Sequence, residues 1–117
     1  PESLVTVTPD ERVDQLLAKM GELGITQIPV LEDGRSVGAA RENRILAKVL
    51  ANRDLLESPV SELMEPGFPI VDVDASSAEV TRKLQESQAV LVEEYGRIIG
   101  IITRHDVLDT PAFSARR

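Results

Sequence analysis

Near the C-terminus, Gly100-Ile101-Ile102-Thr103-Arg104-His105-Asp106 sets a hydroxyl and a carboxylate three residues apart behind an apolar run. Arg97 to Ile102 reads as a strand. Thr103 opens a short helix holding Val107 and Leu108, which Pro111 ends. A helix N-terminus carries free N–H groups and a partial positive charge, so it can hold a phosphate or another anion. The Thr103 hydroxyl points into the same space. Asp106 lies one turn on, and a carboxylate accepts two hydroxyl protons, which suits the cis-diol of a ribose. Ile101 and Ile102 offer flat apolar walls to a base. Thr-x-x-Asp also reads as a capping box, with Thr103 capping the helix and Asp106 bonding back to the cap's own N–H. Spacing alone leaves both readings open. Arg104 and His105 read as solvated surface groups or as further contacts to a phosphate. His105 and Asp106 do not make a hydrolase, because adjacent helix residues point about 100° apart and no nucleophile is evident.

Composition narrows the chemistry further. The 117 residues include 20 acidic and 13 basic side chains, one histidine, no cysteine and no tryptophan. Without cysteine there is no disulfide framework, no thiolate zinc site and no cysteine nucleophile. One histidine excludes a multi-histidine metal cage. A formal charge of −7 with 3% aromatic residues argues against a nucleic-acid groove. No apolar run approaches the ~20 residues needed to span a bilayer, and no signal peptide is seen, so a cytoplasmic, membrane-free protein is expected. The chain starts at Pro1 rather than at methionine, which suggests a fragment of a longer protein.

The elements that must position these residues follow from periodicity. Leu4 to Val7 reads as a strand. Thr8-Pro9-Asp10-Glu11 starts a helix with Thr8 as cap, and Val13, Leu16, Leu17, Met20 and Leu23 form its apolar stripe. Gly24 ends it. Gln27 to Leu31 is a strand, with Pro29 expected at an edge or a strand end. Asp33-Gly34 turns the chain into the strand Ser36 to Ala40. A helix from Glu42 to Asn52 buries Ile45, Leu46, Val49 and Leu50. After a connector, Phe68 to Val73 is a strand, Ser76 or Ser77 caps a helix burying Val80 and Leu84, and Ala89 to Val92 and Arg97 to Ile102 flank the turn at Tyr95-Gly96.

The two halves match. Gly34 lies on Gly96 and Gly38 on Gly100, which puts Ile45-Leu46 on Val107-Leu108. The acidity is shared, with seven basic and ten acidic residues in 1–57 and six and ten in 58–117. A repeat of this length, built as β-α-β-β-α, predicts an α+β fold of two repeats, residues 1–57 and 58–117, packed through their sheets about a pseudo-twofold axis.

This order, with Gly24-Ile25-Thr26-Gln27-Ile28-Pro29-Val30-Leu31-Glu32-Asp33-Gly34 and Gly100-Ile101-Ile102-Thr103-Arg104-His105-Asp106, resembles a tandem pair of cystathionine β-synthase (CBS) domains, a Bateman module. The resemblance covers residues 4–110. It implies a regulatory module that binds an adenosyl ligand (AMP, ADP, ATP or S-adenosylmethionine) as effector and controls an attached domain. It implies no catalysis by this chain and a homodimer, with Val13, Leu17, Met20, Val80 and Leu84 supplying either a dimer surface or the core. Carried over residue by residue, Thr103 holds the phosphate or its equivalent and Asp106 the ribose. Ile101, Ile25 and Ile28 line the base, and Thr26 and Gln27 meet its edge. The first repeat departs from the pattern. Arg41 and Arg44 stand where the family has Thr or Ser and Asp, and a guanidinium cannot accept hydroxyl protons. That site is expected to be empty or to take a plain anion. The connector Ser58 to Asp72 looks closest to bacterial cystathionine β-synthase-type enzymes, which carry a pyridoxal-phosphate domain upstream. The alternative is an assembly module that has lost ligand binding.

Overall fold

The computed structural model describes residues 4–109, with the backbone alone for 107–109. The fold is α+β. The elements run α1 (Val13–Leu23), β1 (Gln27–Glu32), β2 (Arg35–Arg41), α2 (Glu42–Ala51), β3 (Ile70–Asp72), α3 (Ser77–Leu84), β4 (Ala89–Glu94), β5 (Arg97–Thr103) and α4 (Arg104–Asp109), with 3-10 turns at Arg53–Glu57 and Val60–Glu62. The chain forms two compact units. Val5–Gly67 is one, and Phe68 onward together with Leu4 is the other.

In the first unit, β1 and β2 pair antiparallel, and Val7 adds a parallel bridge to Val30. The turn between them is Asp33 (φ 54°) and Gly34 (φ 81°), two left-handed residues in a row, whose twist suits a tight hairpin. Pro29 sits inside β1 rather than at its end. Leu31 donates its N–H to Val7 O, so the alternation of the strand aims the Pro29 nitrogen at the Val7 side, where only that single bridge runs. α1 begins at Val13, later than the Thr8 cap predicts, because the residues ahead of it are used otherwise. Thr8 and Glu11 close a turn, Arg12 is extended, and Arg12 bridges Pro59. Gly24 (φ 67°) ends α1 as expected.

The core of this unit gathers Val7, Val13, Leu16, Met20, Ile28, Val30, Ala40, Ile45 and Val49 with Val60 and Leu63 from the connector. The sequence repeat changes over within the connector, but the packing unit changes over later, at Gly67/Phe68. On α2 only Ile45 and Val49 are buried. Leu46 and Leu50 are exposed, at 41% and 77%, since the helix turns one stripe inward.

In the second unit, β3 pairs parallel with β4 and β4 antiparallel with β5. Tyr95 (φ 53°) and Gly96 (φ 79°) repeat the hairpin turn, and the ladder shifts register at Val92/Glu93 as it does at Val30/Leu31. Ser76 caps α3, its Oγ accepting from Glu79 N at 3.1 Å. Val71, Val80, Leu84 and Val90 form the core, flanked by Ala75, Val92 and Ile102. The apolar stripes of α1 and α3 are therefore core rather than free surface: Val13, Met20, Val80 and Leu84 are buried, and Leu17 packs on the first cluster. The expected end of the last helix at Pro111 lies outside the described residues.

Candidate functional site

β5 delivers Thr103 to the start of α4, with Ala89 opposite it in β4 and Arg104 N donating to Gln88 O at 3.2 Å. Alternation along β5 puts Ile102 into the second core, so Ile101 faces the other side, half-buried. Thr103 N donates to Asp106 Oδ2 at 2.9 Å, and Asp106 N donates to Thr103 Oγ1 at 3.1 Å. This is a reciprocal capping box. It fixes the Asp106 carboxylate at an exposed turn, and within the turn only Oδ2 is used. Capping and hydroxyl binding thus draw on different capacity of one carboxylate, which has about four lone-pair sites.

Arg104 is turned elsewhere. Its Nε donates to Leu84 O at 2.6 Å and its Nη2 to Gln85 O at 3.4 Å. These carbonyls end α3, where the helix dipole is negative, so the guanidinium ties α3 to the start of α4 instead of facing the Thr103 turn. His105 is exposed beside Asp106.

In the first unit, the residues before and in β1 differ in what they present. Ile25 packs half-buried against the core, and Thr26 is exposed, its carbonyl accepting from Glu42 N at 3.0 Å. Gln27 Oε1 is buried and finds no hydrogen-bond partner among the described residues. Ile28 has no accessible surface and belongs to the core, so it cannot line a ligand surface.

Arg41 and Arg44 converge on a residue that spacing does not reveal. Glu65 Oε1 lies 3.5 Å from Arg41 Nε and Oε2 lies 3.3 Å from Arg44 Nη1. Glu65 reaches them because its backbone pairs with Ala39, with N–H to O distances of 2.8 and 2.9 Å. The only sequence signal for Glu65 is its connector position ahead of β3. Among the described residues no cluster of three or more His, Cys, Asp or Glu is arranged to hold a metal, and no helix is long and apolar enough to cross a membrane.

Comparison with known proteins bears on these units. The family model described as "CBS domain" matches residues 2–51 and again 60–112. A zinc metalloprotease of Methanocaldococcus jannaschii, MJ0392, is 33% identical over 104 residues, covering 89% of this chain and 28% of its own length. Inosine-5'-monophosphate dehydrogenase of Aquifex aeolicus is 31% identical over 115 residues, covering 89% of this chain and 22% of the enzyme. The chain thus spans less than a third of these curated relatives. Among solved structures, a CBS domain-containing protein of Bacillus anthracis aligns with a TM-score of 0.82 at 21% identity, covering 97% of this chain and 86% of that one. Protein MJ1225 of M. jannaschii, described as a putative archaeal homolog of g-AMPK, aligns at 0.77 and 22% identity, covering 91% and 43%. With its family model matched twice along most of its length, this chain belongs to the CBS domain family and carries two such domains in tandem.

Proposed function

We propose that this CBS pair is a regulatory module that binds an adenosyl-containing ligand at the Thr103 turn and controls an attached domain of its parent protein. The observation that supports it is the exposed Asp106 carboxylate, held in place by Thr103 N with its other oxygen unused in the turn. CBS pairs are regulatory modules, and many bind adenosyl ligands. Asp106 takes the ribose hydroxyls, and the Thr103 hydroxyl, whose own proton is not used in the capping box, meets the phosphate or its equivalent. Ile25, Thr26 and Gln27 remain in the proposed set, and Arg104 leaves it. The class of the attached domain stays outside the proposal: the connector resembles cystathionine β-synthase-type enzymes, whereas the relatives named above are a protease and a dehydrogenase.

Calorimetric titration with AMP, ADP, ATP and S-adenosylmethionine tests this. At least one should bind below millimolar. Asp106→Ala is expected to weaken it at least 30-fold, about 2 kcal/mol, the scale of hydrogen bonds to a charged group. Asp106→Asn, which keeps an acceptor for Thr103 N, should weaken binding more than it lowers the melting temperature. If the two Asp106 variants lower only the melting temperature, the carboxylate is a helix cap alone. Gln27→Ala tests the first-unit residues in the same titration.

A second reading, an assembly module without ligand, draws on the exposed Leu46 and Leu50 of α2. Light scattering of Leu50→Glu against the parent chain tests it. A dimer that the substitution splits, together with a failed titration, would favour this reading.

A further inference from the structure

The two repeats fill one position differently. Gly38 lies on Gly100, so Arg41 corresponds to Thr103 and Arg44 to Asp106. The backbone agrees with that register. Arg41 stands opposite Gln27 at the end of the β1–β2 ladder, as Thr103 stands opposite Ala89 in β4–β5. The next N–H turns back to the first strand of the pair in both repeats, Glu42 N to Thr26 O and Arg104 N to Gln88 O. In the second repeat this turn carries a hydroxyl and a carboxylate, each bonded to the other's backbone N–H. In the first repeat it carries two guanidiniums, and the carboxylate comes from the connector. Glu65 gives one oxygen to each of them, Oε1 to Arg41 and Oε2 to Arg44.

Backbone contacts hold Glu65 in that place. It exchanges both hydrogen bonds with Ala39, and two glycines let the connector lie flat on β2. A Cβ on Gly38 would press on Glu65 O, and a Cβ on Gly67 would lie 2.6 Å from Ser36 Oγ. The Glu65 side chain is 20% exposed and that of Arg44 61%. The carboxylate is thus the enclosed member of the cluster, and Arg44 is the member that solvent reaches. Two guanidiniums at one turn suit a phosphate group, whose several oxygens accept from their forked donors. Glu65 already supplies such an acceptor. Because its backbone is fixed, it loses little freedom on pairing and competes at a high effective concentration. It also meets any incoming anion with like charge.

We propose that Glu65 is the built-in occupant of the first repeat's turn: it shuts out phosphate groups that Arg41 and Arg44 would otherwise hold, so this turn takes no phosphate ligand in the unsubstituted chain. The proposal does not depend on what the Thr103 turn binds.

The test titrates inorganic phosphate, at constant ionic strength, into the 117-residue chain, Glu65→Ser and Glu65→Ser/Arg44→Ser. The NMR signals of the Arg41 and Arg44 Nε–H groups follow binding. These signals read the first unit, so the outcome is separate from any failure at Thr103. Glu65→Ser should bind phosphate at least about tenfold more tightly than the unsubstituted chain, with both arginine signals moving on one curve. Removing Arg44 as well should return the affinity to its starting level. Equal affinity with and without Glu65, or a gain that survives the loss of Arg44, would overturn the proposal. An equal response to chloride would overturn it too, since the pair would then be a general cationic patch. Glu65→Gln keeps the side-chain length and the bonds to Ala39, which covers the case in which the serine variant does not fold. It should raise phosphate affinity at least about threefold, and no gain there counts against the proposal in the same way. AMP replaces phosphate in the last arm. It should move the same arginine signals in Glu65→Ser, and movement of those signals by AMP in the unsubstituted chain would defeat the proposal.

Discussion

Gly38→Ala will lower the stability of the first unit by about 2–3 kcal/mol, while Gly100→Ala, its counterpart in the second repeat, will change stability by less than about 0.5 kcal/mol. A Cβ on Gly38 would lie 2.7 Å from Met64 Sδ and 2.9 Å from Glu65 O. The thioether can swing away, but the carbonyl cannot. It belongs to the bridge in which Glu65 and Ala39 exchange both hydrogen bonds, so relief of the clash would stretch that pair and loosen the hold of Glu65 on Arg41 and Arg44. A Cβ on Gly100 meets only Val92 Cβ, at 4.0 Å, an ordinary contact. Urea denaturation followed by circular dichroism reads both. Similar losses at the two glycines would mean that the connector does not press on β2.

The larger loss is expected from Leu16→Ala, at about 3–4 kcal/mol, against about 1–2 kcal/mol for Val80→Ala at the equivalent place. Leu16 is fully buried among Val7, Val13, Met20, Ile28, Val30 and Val60. Its truncation removes three carbons, about 0.8 kcal/mol each, and leaves a void that rigid neighbours on every side cannot close. Val80 is buried too, but it borders an open cleft in the second unit. Its loss removes two carbons and widens a space that is already open, so the cavity term is small. Denaturation midpoints with unchanged slope would confirm both, since an altered slope would point to a change in the unfolded or native ensemble instead.

The periodic signals carried most of the fold. The stripe Val13, Leu16 and Met20 and the pairs Asp33-Gly34 and Tyr95-Gly96 act locally, through helical spacing and left-handed backbone, and they stand in the structure where the sequence puts them. What the sequence concealed are the non-local choices. The start of α1 at Val13 depends on Pro59 and Val60 coming back to Arg12 and Glu11, forty-odd residues away. The exposure of Leu46 and Leu50 depends on which stripe of α2 faces the sheet. At the candidate site, Thr-x-x-Asp was legible as a turn, and the geometry shows its capping bonds. The alliance of Arg104 with the end of α3 and of Glu65 with two arginines was not legible, because each partner comes from a different element whose position no spacing rule supplies.

The insertion of Val60 and Leu63 into the first core separates two kinds of inheritance. A duplication copies a stretch of gene, and its period here is set by the matching hairpins. The second family match starts at residue 60, whereas folding draws its boundary after Gly67, once the chain has stitched itself back onto α1. Copying and folding therefore run out of phase, so the first unit is completed by residues that fall within the second family match. Such a phase offset ties tandem copies together more firmly than a surface contact does, because the second copy could not be excised cleanly without opening the first unit's interior.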